Sequence, residues 1–262
     1  MYQRIVCLTT ETVEVLYALG EQDRIVGISG YTTRPAIARK EKPKVSAFTT
    51  AKIDKILALQ PDLVLGFSNL QADIAATLIK AGIEVHVFNQ RGVDEILRMI
   101  LTTGLLVGAL DKAQKLVAGL TQKIELARES ASLLPRRPVV YFEEWDEPMM
   151  CSIRWTAELI AIAGGEDCFP ELSAFHSAGQ RIVTPAQVLE SMPDIIIGSW
   201  CGKKFQPEQV AARAGWSKIP AVQNGFVREI KSADILQPGP SVFTHGLPQI
   251  QAIIAEWQKE QQ

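Results

Sequence analysis

Apolar positions along the chain alternate between two rhythms. The run Ile5-Val6-Cys7-Leu8 predicts a short strand, and Val13, Leu16 and Tyr17 then recur at helical spacing until Gly20 supplies a stop signal. A second strand is predicted over 25–28. Ile53, Ile56, Leu57 and Leu59 mark a helix that must end before Pro61. Strands over 63–65 and 85–88 flank a helix marked by Ile74, Leu78 and Ile79, which ends near Gly82. Strands alternating with helices of this length imply parallel pairing with crossover helices.

The rhythm then changes. Over 111–134 there is no proline and one glycine, and Ala113, Leu116, Val117, Leu120, Ile124, Ala127, Ala131 and Leu134 repeat in steps of three and four. Charged residues avoid that stripe, so one long amphipathic helix is predicted, stopped by Pro135-Arg136-Arg137-Pro138. It is either an ordinary surface helix or a strut between two lobes, because the α/β alternation resumes beyond it. Strands are predicted over 139–142, 195–197 and 226–230, with helices over 157–163, 185–191 and 247–258. Residues 56–67, ILALQPDLVLGF, and 188–200, VLESMPDIIIGSW, share one layout: helix, Pro-Asp, three apolar residues, glycine. Pro61-Asp62 matches Pro193-Asp194 and Gly66 matches Gly198, which predicts two pseudo-symmetric lobes. The domain division is 1–110 for the first lobe, 111–134 for the linking helix and 138–262 for the second lobe.

Composition narrows the function. The 262 residues are 47% apolar and 21% charged, a globular balance. With 27 basic and 29 acidic residues the net charge is −2, so nothing favours nucleic acid or an anionic membrane surface. No apolar run is long enough to insert into a membrane, and no room exists before residue 5 for a secretory leader. The expectation is therefore a cytoplasmic chain as it stands, or a periplasmic or cell-surface protein if a leader has been removed. Cys7, Cys151, Cys168 and Cys201 are too scattered for a disulfide scaffold, although one pair among the last three could bridge. His86, His176 and His245 are isolated, so no metal site and no required cofactor are expected.

In an open parallel sheet, ligands bind beyond the carboxyl ends of the strands. Those positions hold Thr9, Thr10 and Glu11 after the first strand, and Tyr31 and Arg34 after the second. Phe48 lies in the loop before the 53–59 helix, and Phe67 and Asn69 follow the 63–65 strand. In the second half they are Glu143, Glu144, Trp145 and Asp146, then Trp200, Cys201, Lys203, Lys204 and Phe205, then Gln237 and His245. Rings with a few polar groups suit a sizeable, partly apolar ligand, although each ring could instead pack against a neighbouring loop. Three acids within 143–146 read more readily as a solvated loop than as paired catalytic carboxylates. Cys201 beside Lys203 and Lys204 suggests a lowered thiol pKa, with His245 as a conceivable base. No Walker A loop, GxGxxG turn or GxSxG elbow is present.

The segments RIVCLTTETVEVLYALG, RIVGISGYT, KIDKILALQPDLVLGF, IAGGEDCF, VLESMPDIIIG and IPAVQNGFV, in this order around the long helix, carry a resemblance. The chain resembles the helical-backbone (class III) substrate-binding proteins of ABC transporters. Within them it is most similar to the cobalamin binders, with ferric-siderophore and haem binders as close relatives. The resemblance implies an α/β fold of two Rossmann-like lobes with parallel sheets joined by one long α-helix, a ligand clamped in the cleft between them, and no catalysis. It implies that Tyr31 lies next to a corrin ring, that Phe48 and Phe67 stand where cobalamin binders place tryptophans, and that Trp200 belongs to the second lobe's cleft loop. Asp54 matches an acid that docks on an ABC permease. Its counterpart in the second lobe falls at Ala186, with Glu190 one turn away. The reading is a monomeric, reversible binder of a corrinoid or another large metal chelate. The alternatives are a ferric-siderophore or haem binder, or a cytosolic enzyme or carrier using Glu144 or Cys201.

Overall fold

The computed structural model of the chain describes residues 1–261. It divides into two compact units, residues 1–90 with 94–120, and residues 91–93 with 121–262. In the first unit five strands, β1 (Ile5–Cys7), β2 (Ile25–Ser29), β3 (Lys44–Ser46), β4 (Leu63–Phe67) and β5 (Val85–Phe88), form one sheet in the order β3-β2-β1-β4-β5. Every pairing in it is parallel. Its helices are α1 (Thr10–Ala18), α2 (Ala38–Glu41), α3 (Ile53–Ala58), α4 (Ala72–Lys80) and α5 (Val93–Leu106). The central strands are apolar on both faces because crossover helices cover both sides. On one side Val6, Leu8 and Val64 pack with Ile56 of α3 and Ile74 and Leu78 of α4.

Helix α6 (Leu110–Ser132) runs without interruption across the boundary between the units and, at 1.5 Å per residue, is about 35 Å long. It starts one residue before the expected helix and ends two residues sooner. Helix α5 was not anticipated from the pattern. Its Gly104 explains part of the irregularity, since a Cβ there would collide with the side chain of Ala113 in α6.

The second unit contains β6 (Val139–Glu143), β7 (Trp145–Asp146), β8 (Met149–Met150), β9 (Glu166–Asp167), β10 (Ile195–Gly198) and β11 (Val227–Glu229). Four of these form a parallel sheet in the order β11-β10-β6-β9, and β7 and β8 pair antiparallel. Helices α7 (Arg154–Ala163), α8 (Pro170–Ser173), α9 (Pro185–Ser191), α10 (Pro207–Ala211), α11 (Pro220–Gln223), α12 (Ser232–Ile235) and α13 (Leu247–Glu260) complete it. Helix α9 opens on a capping box, in which Gln187 N–H donates to the Thr184 hydroxyl and Thr184 N–H to the Gln187 side chain.

The repeated Pro-Asp segment does the same work in both units. Strands β4 and β10 each lie beside the first strand of their sheet, β1 and β6. Asp62 accepts the backbone N–H groups of Gln3 and Arg4 at 2.7 and 2.9 Å, and Asp194 accepts that of Val139 at 2.9 Å. Each aspartate thus ties the start of β1 or β6 to its neighbour in the sheet, β4 or β10. The residues before the prolines, Gln60 and Met192, both adopt positive φ, 47° and 45°. The matched glycines are required by close approach. A Cβ on Gly66 would lie 2.9 Å from Gln71 Oε1, and one on Gly198 would run into the Phe205 ring.

Candidate functional site

In the first unit, the carboxyl ends of β1, β2 and β3 are stitched into one surface. Thr10 Oγ1 donates to Tyr31 O at 3.2 Å, Tyr31 N donates to Ser29 Oγ at 3.2 Å, and Gly30 N donates to Ser46 O at 2.7 Å. Thr9 and Thr10 are buried at the start of α1, whereas Tyr31 is 61% exposed. Arg34 and Phe48 are half-buried, Phe67 is buried and Asn69 is exposed. Phe48 and Phe67 are brought together by a residue that sequence reasoning missed. Gln71, fully buried, accepts from Phe67 N at 2.9 Å and donates to Phe48 O at 2.8 Å and Leu8 O at 3.4 Å. A glutamine in a polar loop carries no local sign of this role.

Glu11 lies in the first turn of α1 and is 3% exposed. Burial pushes its carboxyl up to about 7, against the pull of a backbone hydrogen bond and the Thr9 hydroxyl, and Glu14 adds to the rise. Near neutral pH this group holds a proton part of the time. Asn69 stands at the rim of a depression of about 420 Å³ lined by Ser68, Ala72, Ala76, Ile79 and Val87.

In the second unit, the acidic segment after β6 is not the solvated loop expected. Glu143 is completely buried and holds four hydrogen bonds: Arg213 Nη1 at 2.5 Å, Arg213 Nη2 at 2.9 Å, Tyr141 Oη at 3.0 Å and Trp200 Nε1 at 3.0 Å. Burial and the adjacent Glu143 push the Tyr141 phenol well above its ordinary value, so it remains a donor. Glu144 pairs with Arg181, whose side chain is 2% exposed and also donates to Cys151 O at 2.7 Å. Asp146 pairs with Lys203 at 2.5 Å. The chain turns back through β7 and β8 because a hairpin forms where an open loop was expected.

Trp200 and Phe205 are buried at 3% and 2% exposure and meet edge to face with centroids 4.9 Å apart. The two rings thus hold each other in place. Trp145 is half-buried, and Trp155 is buried with its indole N–H on Ile235 O at 2.8 Å. Lys203 and Lys204 are exposed, Gln237 is half-buried and His245 is exposed with Nδ1 2.9 Å from Thr244 Oγ1. Cys201 reverses its expected chemistry: desolvation first, and Glu144 second, push its thiol up, while Lys203 is committed to Asp146. It lacks the thiolate character a nucleophile needs. Among the described residues no group of three or more His, Cys, Asp or Glu stands ready for a metal ion, and no helix is long and apolar enough to cross a membrane.

A family model described as Periplasmic binding protein matches residues 5–233. The chain belongs to that family. The resemblance drawn from the sequence motifs is thus borne out, and so is the two-lobed α/β fold with parallel sheets. Among similar proteins, an uncharacterized ABC transporter substrate-binding lipoprotein YvrC of Bacillus subtilis is 26% identical over 92% of this chain and 76% of its own. The vitamin B12-binding protein of Vibrio campbellii is 26% identical over 90% of this chain and 84% of its own. The heme-binding protein RhuT from Roseiflexus sp. RS-1 superposes with a TM-score of 0.85 at 20% identity, over 98% of this chain and all of its own. Members of this family are binding proteins.

Proposed function

We propose that this chain reversibly binds a corrinoid, or a similar large metal chelate, and delivers it to an ABC permease without chemical change. The observation that carries the reading is the set of rings and polar groups at the carboxyl ends of two parallel sheets, each folded in its own unit. Tyr31 supplies an exposed ring on the first, and Trp145 with the exposed Lys203 and Lys204 lies on the second. The similarity to a vitamin B12-binding protein through most of both chains supports a corrinoid as first choice. Flat rings stack on a macrocycle and polar loop groups fix its orientation. Asp54 in α3 and Glu190 in α9 are both exposed, and they are the acids assigned to permease docking.

The test is a calorimetric and tryptophan-fluorescence titration with cyanocobalamin, with haem and a ferric siderophore as competitors. Saturable heat and quenching with cyanocobalamin, weakened by Tyr31→Ala, are expected. Neither signal at high micromolar corrinoid removes the corrinoid assignment. Binding of haem or the ferric chelate in its place moves the ligand to that class.

A further inference from the structure

Within the second unit, the ammonium of Lys203 lies 4.9 Å from the ring centroid of Trp200 and 5.6 Å from that of Trp145. The same Nζ is 2.5 Å from Asp146 Oδ2. Two indoles and a carboxylate around one ammonium form the arrangement by which proteins recognise alkylammonium ligands, because the ring faces are electron-rich and the carboxylate supplies the counter-charge. Here the cation comes from the chain itself.

The walls are held without help from the lysine. Trp200 hangs from the buried Glu143 by its indole N–H and packs edge to face on Phe205. Trp145 donates its indole N–H to Glu147 O at 2.8 Å and sits in the β7–β8 hairpin. The occupant is less constrained. The Lys203 side chain is 41% exposed, and it follows Gly202, whose φ is +73° and around which a Cβ would meet nothing within 4 Å. An acceptor remains unused: Asp146 Oδ1 is shielded from solvent and has no partner. The segment thus combines preformed walls, a spare carboxylate oxygen and a plug on a loop with room to move.

We propose that Trp145, Trp200 and Asp146 form a cation subsite that takes the head group of an alkylammonium ligand, and that Lys203 fills it as an internal stand-in until such a ligand displaces it. The exchange is non-covalent, one ammonium for another, so charge is conserved. Anions are disfavoured by Asp146, whose charge stands free once Lys203 is displaced. The proposal does not depend on the corrinoid reading, and its probes contain no macrocycle, so the two fail separately.

The experiment compares the full chain with its Lys203→Ala variant, titrated with choline and with choline's neutral isostere 3,3-dimethylbutan-1-ol at constant ionic strength. Tryptophan fluorescence is the readout. Removing a tethered competitor should tighten choline binding about tenfold over the unsubstituted chain, with the alcohol at least about tenfold weaker than choline. Adding Asp146→Asn to Lys203→Ala should abolish the preference for the cation. Trp145→Leu in the same background is the substitute if that double variant does not fold, and it should likewise lose choline. No saturable response of folded Lys203→Ala below about 100 mM choline, or equal binding of choline and the alcohol, overturns the proposal.

Discussion

Replacing Arg213 with Met tests the buried network that organises the second unit. Glu143 has no exposed surface and receives two of its four hydrogen bonds from the Arg213 guanidinium, at 2.5 and 2.9 Å. The methionine fills similar volume but leaves the carboxylate with two neutral donors, Tyr141 and Trp200. Removing one partner of a buried ion pair costs about 3–5 kcal/mol, since the remaining charge has been taken out of water without a counter-charge. For a unit of this size that lowers the melting temperature by about 6–20 °C. The reciprocal change, Glu143→Gln, should cost less, about 1–3 kcal/mol, because Arg213 is 17% exposed and can still reach water. The double variant Glu143→Leu/Arg213→Met removes both charges and should be more stable than Arg213→Met alone. Urea denaturation at pH 7.5, with near-ultraviolet circular dichroism to follow Trp200, measures all three. A cost below about 1 kcal/mol for Arg213→Met, or a double variant no better than the single one, would refute the claim that Glu143 depends on this arginine.

Two further outcomes follow from the first unit. The Glu11 carboxyl is raised to about 7 in the fold, above its unfolded value of about 4.3. Its contribution to stability is therefore full below about pH 4.3 and is lost as pH rises through about 7, a swing on the order of 4 kcal/mol. Glu11→Gln should flatten the pH dependence of urea unfolding over that window, and an unchanged slope would contradict the assignment. Gln71→Ala strips a buried acceptor from Phe67 N and donors from Phe48 O and Leu8 O, at about 1–3 kcal/mol for each buried group left unpaired. Hydrogen exchange at the Phe67 amide should accelerate, and protection equal to the unsubstituted chain would show that Gln71 is not the tie.

The element order was readable along the chain because buried parallel strands and amphipathic helices write their periods locally. The long helix, the α9 segment and the Pro-Asp-strand-Gly repeat could all be placed from residue spacing, since capping, proline and burial act over a few positions. Very short strands such as β3 and β9 left no such period, and helix α5 contains a glycine whose reason lies in α6. The chemistry of the candidate site was less legible. Glu143 meets Arg213 across 70 positions and Trp200 across 57, and Gln71 reaches Leu8 across 63. A residue's charge state and exposure depend on neighbours that folding delivers from far along the chain. So composition and spacing could name Trp145, Trp200 and Lys203 as residues of loops beyond the strand ends. That the lysine sits over both rings, that an acidic loop is internally neutralised and that the Cys201 thiol is raised rather than lowered were decided by packing, because desolvation and Coulomb interactions act through space.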